Sequence, residues 1–256
     1  MKQVLYACRN SKNAVRGLNF LLSNENIELR GCLIPDRCEN VREICEKNDI
    51  NIYDDKTRDK INEDFEESFI DLLISFSYPK KIDDYILGKT KCAINYHPAP
   101  LPEYKGNACA CHGLYNGETY WGGTFHIMTS EFDRGPIIEK RYFEITPDLQ
   151  YGILLSNATW DLGYEMLKHL VNEYVKIGSL TSVEQQQTGK FYKRKDLNRA
   201  RKIYETDSPE EIERKIKAFW FPPYEGAYIE KDGEHFSVIT NEMLMEIAEK
   251  MNKINN

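Results

Sequence analysis

The apolar positions of the first hundred residues alternate between two rhythms. Val4–Cys8 is an unbroken apolar run and reads as a short strand. Ser11 follows as a helix N-cap, with Val15, Leu18, Leu21 and Leu22 sharing a face behind it. Glu28–Ile34 reads as a second strand, ended by Pro35-Asp36, and Asn40–Asn48 as a helix with Val41, Ile44 and Cys45 on one side. Leu72–Phe76 is again near-continuously apolar. Pro79 is expected to open a helix at its tolerated first position, and Cys92–Tyr96 is a further buried strand. Strands alternating with helices at this spacing predict an α/β fold with a Rossmann-like, mostly parallel twisted sheet.

Past His97 the rhythm changes. His97–Asn107 reads as a loop rich in Pro and Gly. Tyr120–Met128 and Ile137–Glu144 read as strands, joined through Asp133-Arg134-Gly135-Pro136. Gln150–Lys176 is one long amphipathic helix with Ile153, Leu154, Trp160, Leu167, Leu170 and Val171 as core candidates. The polar run Glu184–Gly189 marks a boundary, so the chain is divided into a catalytic domain, 1–178, and a small C-terminal α+β region, 179–256. That tail carries an aromatic-basic segment at Phe191–Lys195 and a helix start at Ser208-Pro209-Glu210-Glu211. It also carries an aromatic-proline strip, Phe219–Tyr224, a hairpin turn at Asp232-Gly233, and a terminal helix over Asn241–Asn252.

Composition narrows the function classes. The 256 residues are 41% hydrophobic and 12% aromatic, a globular composition despite a mean hydropathy of −0.60. Lys plus Arg number 34 and Asp plus Glu 41, giving a net charge of −7, unfavourable for nucleic acid but compatible with a small anion met locally. The apolar run near the N-terminus is too short for a signal segment, and no stretch is long enough to span a membrane, so a cytoplasmic location is expected. Seven scattered Cys agree with a reducing compartment. Cys109, Cys111 and His112, together with His97, could form a zinc set. The C-x-C spacing is narrower than usual, and packing at a helix start is the alternative; no metal is expected.

No glycine-rich phosphate loop follows the first strand, where Arg9-Asn10-Ser11-Lys12 stands instead, and no serine nucleophile elbow is present. The chemistry points to Asn95-Tyr96-His97-Pro98, at the C-terminal end of a buried strand, where open α/β sheets bind ligands. Asn95 and His97, two apart, face the same side. Asp133 follows 36 residues after His97 at a turn between strands. An amide to stabilise an oxyanion, an imidazole to move a proton and a carboxylate to orient it suit transfer of a small acyl group to an amine, with no covalent intermediate. Each residue also has a plain structural alternative: a turn Asn, a satisfied strand-end His, and an Asp capping its own backbone.

At these residues the chain resembles the folate-dependent formyltransferase family. The resemblance rests on Asn95-Tyr96-His97-Pro98, Leu101-Pro102, Tyr104-Lys105-Gly106, Asn116-Gly117-Glu118, Gly123-Thr124-Phe125-His126 and Asp133-Arg134-Gly135-Pro136, and covers roughly residues 1–175. It implies that Asn95, His97 and Asp133 are catalytic and that N10-formyltetrahydrofolate is the co-substrate. It places the folate along Phe76–Ile82 and Met128–Asp133, with Phe76, Ser77, Tyr78, Lys80, Ile82 and Met128 as the expected contacts. Two departures stand out: Asn107–Cys111 replaces a small-and-aromatic run, and Gly122-Gly123-Thr124 replaces a more usual Gly-Val-Thr, which is expected to loosen that strand.

The acceptor follows by elimination among the branches of that family. The tail is shorter than that of methionyl-tRNA formyltransferases and longer than that of glycinamide ribonucleotide transformylases. The hydrolase branch normally carries a small regulatory domain ahead of the core, and with the core pattern beginning at Val4 none is expected here. What remains resembles the sugar N-formyltransferases, whose products serve lipopolysaccharide O-antigen synthesis. That resemblance implies a nucleotide-linked amino sugar as partner, no nucleic acid or membrane, and a homodimer. Lys105, Gly106 and Tyr224 are the expected substrate contacts, with Lys193–Lys195 as a second basic spot for a diphosphate. The alternatives left open are another small-molecule amine as acceptor, or a non-catalytic folate or nucleotide-sugar binding module. For Trp220, Phe221 and Tyr224 the alternative is packing or a dimer contact.

Overall fold

A computed structural model describes residues 1–245 and 248, apart from residues 58 and 67. In chain order the first elements are β1 (Lys2–Cys8), α1 (Lys12–Leu22), β2 (Ile27–Leu33), α2 (Glu39–Lys47), β3 (Ile52–Tyr53), α3 (Lys60–Asp64), β4 (Ile70–Phe76), α4 (Asp84–Gly88) and β5 (Thr90–His97). Then come β6 (Tyr104–Gly106), α5 (Cys109–Asn116), β7 (Tyr120–Ile127), β8 (Ile137–Glu144) and the long α6 (Gly152–Ile177). The tail holds β9 (Lys190–Tyr192), α7 (Arg194–Ala200), α8 (Pro209–Ala218), β10 (Tyr228–Lys231) and β11 (Glu234–Ser237). Residues 241–245 are helical, and the remainder of the helix expected over Asn241–Asn252 lies outside the described residues, except for residue 248.

The chain forms two compact units. The first comprises residues 1–103, 122–142 and 159–189, and the second 104–121, 143–158 and 190–256. The proposed division at 178/179 falls inside the first unit.

The first unit is built on a seven-stranded sheet in the order β3-β2-β1-β4-β5-β7-β8. The pairs from β3 to β5 are parallel, and β7 runs antiparallel to β5. Alternation along each strand feeds two layers. Val4, Tyr6, Ile74, Phe76, Ile94 and Tyr96 join Leu18, Val41, Leu167 and Leu170 on one face, under α1, α2 and α6. Leu5, Ala7, Leu73 and Ala93 join Ile61, Ile82 and Ile86 on the other, under α3 and α4. Ser11 caps α1 as expected, its hydroxyl accepting from the Ala14 amide at 3.2 Å.

Several local expectations are corrected. Pro79 does not open a helix. Ser77 takes a left-handed φ of 70° and the chain stays irregular until Asp84, carrying the buried Ile82 into the second layer before α4 begins. On α6 the buried position is Leu155, while Leu154 is 41% exposed. The strand around Gly123 is not loosened. The Tyr96 ring lies between Phe76, Phe125 and Trp160, with centroids 5.0–5.3 Å apart, and its hydroxyl donates to the Thr159 carbonyl at 2.5 Å. A Cβ at Gly123 or at Gly163 would overlap that ring, so both glycines are what a tyrosine at position 96 requires.

The second unit buries only the first residue of the aromatic strip, with Trp220 and Phe221 half-buried and Tyr224 exposed. Phe219 is buried with His112 and Tyr115 around it, and Tyr104 and His112 stack on either side of Tyr192. Cys109 and Cys111 are buried at the start of α5. Asp232 and Gly233 both have positive φ, the two-residue turn read from sequence between β10 and β11.

Gly123→Ala is expected to destabilise by ~1–3 kcal/mol through overpacking against Tyr96. Chemical denaturation should show a much smaller cost on a Tyr96→Leu background; equal costs on both backgrounds would mean that Tyr96 is not the obstacle.

Candidate active site

β5 and β7 meet in a register that opposes Asn95 to His126 and His97 to Thr124. These four side chains share the face opposite Tyr96 and Phe125. Thr124 fixes the proline-rich loop after β5: its hydroxyl accepts from the Leu101 amide at 3.0 Å and donates to the Ala99 carbonyl at 2.9 Å. Asp133 reaches the same place from the connection between β7 and β8. It is 8% exposed, and its φ of 56° turns the chain in the left-handed region.

The polar groups form a connected set. Asn95 Nδ2 lies 3.0 Å from His126 Nε2, and His126 Nδ1 lies 2.8 Å from the Ile127 carbonyl oxygen. A carbonyl only accepts, so Nδ1 carries the proton, and Nε2 accepts from the Asn95 amide. Burial pushes the His126 imidazole down to about 4, against the opposing pull of Asp133, so it is neutral at physiological pH. Asp133 Oδ1 is 3.8 Å from His126 Nε2 and 3.4 Å from His97 Nδ1. His97 is 4% exposed. The three residues singled out from sequence are therefore brought together, with His126 between Asn95 and Asp133. Sequence reading placed His126 in a motif but gave it no role; its signal was its two-residue spacing from Thr124 on a buried strand. The arrangement offers one Asn95 N–H not used by His126, an imidazole and a carboxylate. That is a set able to stabilise charge on an acyl oxygen and take a proton from an amine.

The other expected contacts divide. Tyr78, Ile82 and Met128 meet on one apolar cluster with Ile86 and Ala93. Next to them in sequence the Ser77 hydroxyl is buried with no hydrogen-bond partner within the chain. An apolar wall with an unpaired hydroxyl beside it fits a flat heterocycle with polar edges. Phe76 does not line such a wall: its ring is fully buried against Tyr96 and Trp160 in the other layer. Lys80 is paired with Asp55. In the second unit, Lys105 is 3% exposed on β6, Gly106 takes a φ of 89° against the Tyr192 carbonyl, and Tyr224 is 70% exposed. Among the described residues no group of three or more His, Cys, Asp or Glu side chains is arranged to hold a metal ion, and no helix is long and apolar enough to cross a membrane.

The profile of the formyl transferase family matches residues 2–170, and the chain belongs to that family. Methionyl-tRNA formyltransferase of Listeria innocua is 32% identical over 116 residues, which is 45% of this chain and 36% of that protein. The match thus spans only about a third of that relative's length. Among solved structures, a 4-N formyltransferase from Francisella tularensis superposes with a TM-score of 0.77 at 17% identity, covering 93% of this chain and 97% of the other. An N-formyltransferase from Helicobacter canadensis, in complex with folinic acid and dTDP-3-aminofucose, gives a TM-score of 0.73 at 19% identity, covering 91% and 85%. These likenesses are of fold.

The His126 environment has a consequence for stability. Its imidazole is held near 4 in the folded chain against 6.5 when unfolded, so the unfolded state takes up the proton first. The contribution is complete above about pH 6.5 and is lost as pH falls towards 4, by roughly 3 kcal/mol. Urea midpoints measured across that window should fall with pH, and fall less in His126→Asn; identical profiles would contradict a buried neutral His126.

Proposed function

We propose that the chain transfers a formyl group from N10-formyltetrahydrofolate to the amino group of a nucleotide-linked amino deoxysugar, by direct attack of the amine. The observation that carries this reading is the meeting of Asn95, His97 and Asp133 at the end of β5. N10-formyltetrahydrofolate, when bound, supplies the formyl carbon as an activated acyl group. The half-buried Tyr78 and Met128, backed by the buried Ile82, would form the wall against its ring, with the Ser77 hydroxyl at a polar edge. Asn95 donates its second N–H to the formyl oxygen as negative charge gathers there. Asp133 holds Nδ1 of His97, leaving Nε2 for the reacting group, and receives the proton that the amine sheds; as the formyl C–N10 bond breaks, that proton passes on to N10 and tetrahydrofolate leaves.

A sugar acceptor is supported by the extent of the fold likeness, which covers the C-terminal unit as well as the sheet. The net charge of −7 disfavours a polyanionic RNA. Methionyl-tRNA is the second reading, favoured by the sequence relatives. In the same proposal the chain is a cytoplasmic homodimer joined through its tail. There the cross-strand pair Ile229 and Phe236 is 45% and 52% exposed.

Incubation with the formyl donor and a panel of nucleotide amino sugars should give one product heavier by one formyl group in place of hydrogen, while methionyl-tRNA stays unchanged. The amine must be neutral to attack, so the rate should fall below neutral pH. Formylation of methionyl-tRNA alone would establish the second reading, and no product from any amine would refute both.

A further inference from the structure

The polar run Glu184–Gly189 does more than leave the long helix. Val183 and Ile137 exchange two backbone hydrogen bonds, each 2.8 Å, so the segment runs along the edge strand β8 beside the Asp133 turn. Two residues on, Gln185 is 6% exposed. Its Nε2 donates to the carbonyl of Asp133 at 3.1 Å and to that of Gly135 at 2.6 Å. A carboxamide has two N–H groups, and both are used on this one turn. Its Oε1 is buried with no partner within the chain. Arg134, at the centre of the turn, reaches the same segment, donating to Gln187 Oε1 at 2.9 Å.

The turn needs such a grip. Asp133 sits in the left-handed region, which favours glycine, and a Cβ at position 135 would overlap the Ile127 carbonyl. The carboxylate of Asp133 stands 3.4 Å from His97 and 3.8 Å from His126, so a small rotation of the turn would remove it from both. We propose that Gln185 is a positioning residue for Asp133: its amide clamps the carbonyls of residues 133 and 135 and thereby fixes where the carboxylate meets the two imidazoles. This rests on the reading of Asp133 as catalytic.

The test uses Gln185→Met, which keeps the apolar volume and removes both donors, and Gln185→Glu, which keeps the shape and replaces the NH2 by oxygen. Hydrogen exchange at amides 132–135 requires no substrate and should accelerate by about tenfold or more in both variants. With the amine turned over in the panel, kcat should fall by about tenfold or more while KM for both substrates holds, since displacement of a catalytic group costs rate rather than binding. On an Asp133→Asn background Gln185→Met should change product yield by less than about twofold, because the group it positions is gone. Unchanged exchange, an unchanged kcat, or an equal loss on the Asp133→Asn background overturns the clamp. A wild-type rate in Asp133→Asn overturns the reading of the site itself, and the clamp with it.

Discussion

The antiparallel register of β7 on β5 decides which side chains can meet, and the remainder of the site depends on it. It sets Asn95 against His126 and His97 against Thr124 on one face, with Tyr96 and Phe125 on the other. Side chains alternate along a strand, so a slip of one residue would send the polar set into the aromatic layer and the aromatic rings to the opposite face. Tyr96 resists that slip, because its ring is enclosed by Phe76, Phe125 and Trp160 and its hydroxyl is bound to the Thr159 carbonyl. Gly123 and Gly163 supply the room it needs. The packing on one face is thus what holds the chemistry on the other.

Asp133 comes from a turn rather than from a strand, and its placement depends on backbone held at a distance in sequence. The left-handed conformation at Asp133, the glycine at 135 and the two carbonyls bound by Gln185 act on the same few atoms. His126 links this turn to β5. Burial keeps its imidazole neutral, and the bond to the Ile127 carbonyl selects the tautomer that lets Nε2 accept from Asn95. A charged imidazole there would have no lone pair for that amide.

Much of this was legible in the sequence wherever local pattern and tertiary need agree. The near-continuous apolar run of β4 marked a strand covered on both faces, the runs of β1 and β5 marked its neighbours, and the Asn95–His97 spacing marked a shared side. Ser11 and Ser208 named two helix starts, which their side-chain hydrogen bonds bear out. Where the sequence misled, a distant partner decided. Phe76 looked available to a ligand because its rank in the aromatic layer depends on Tyr96 and Trp160. Pro79 is compatible with a first helical turn, but the burial of Ile82 delays the helix. Gly123 looked like a weakness because the tyrosine that fills its space lies on another strand. Gln185 lay in a run that composition alone assigns to a linker; only the folded chain shows its donors meeting two carbonyls some fifty residues away.

The central claim is that the half-buried Asn95 and the buried His126, Asp133 and His97 form one connected set ordered by a neutral His126. A long-range proton–nitrogen NMR spectrum of the histidine side chains, followed with pH, tests it most directly. The account predicts that His126 carries its proton on Nδ1 alone from neutral pH down to about pH 5 and titrates only near its depressed value of about 4. A His126 protonated on Nε2, or one that titrates like a free imidazole near 6.5, would contradict it.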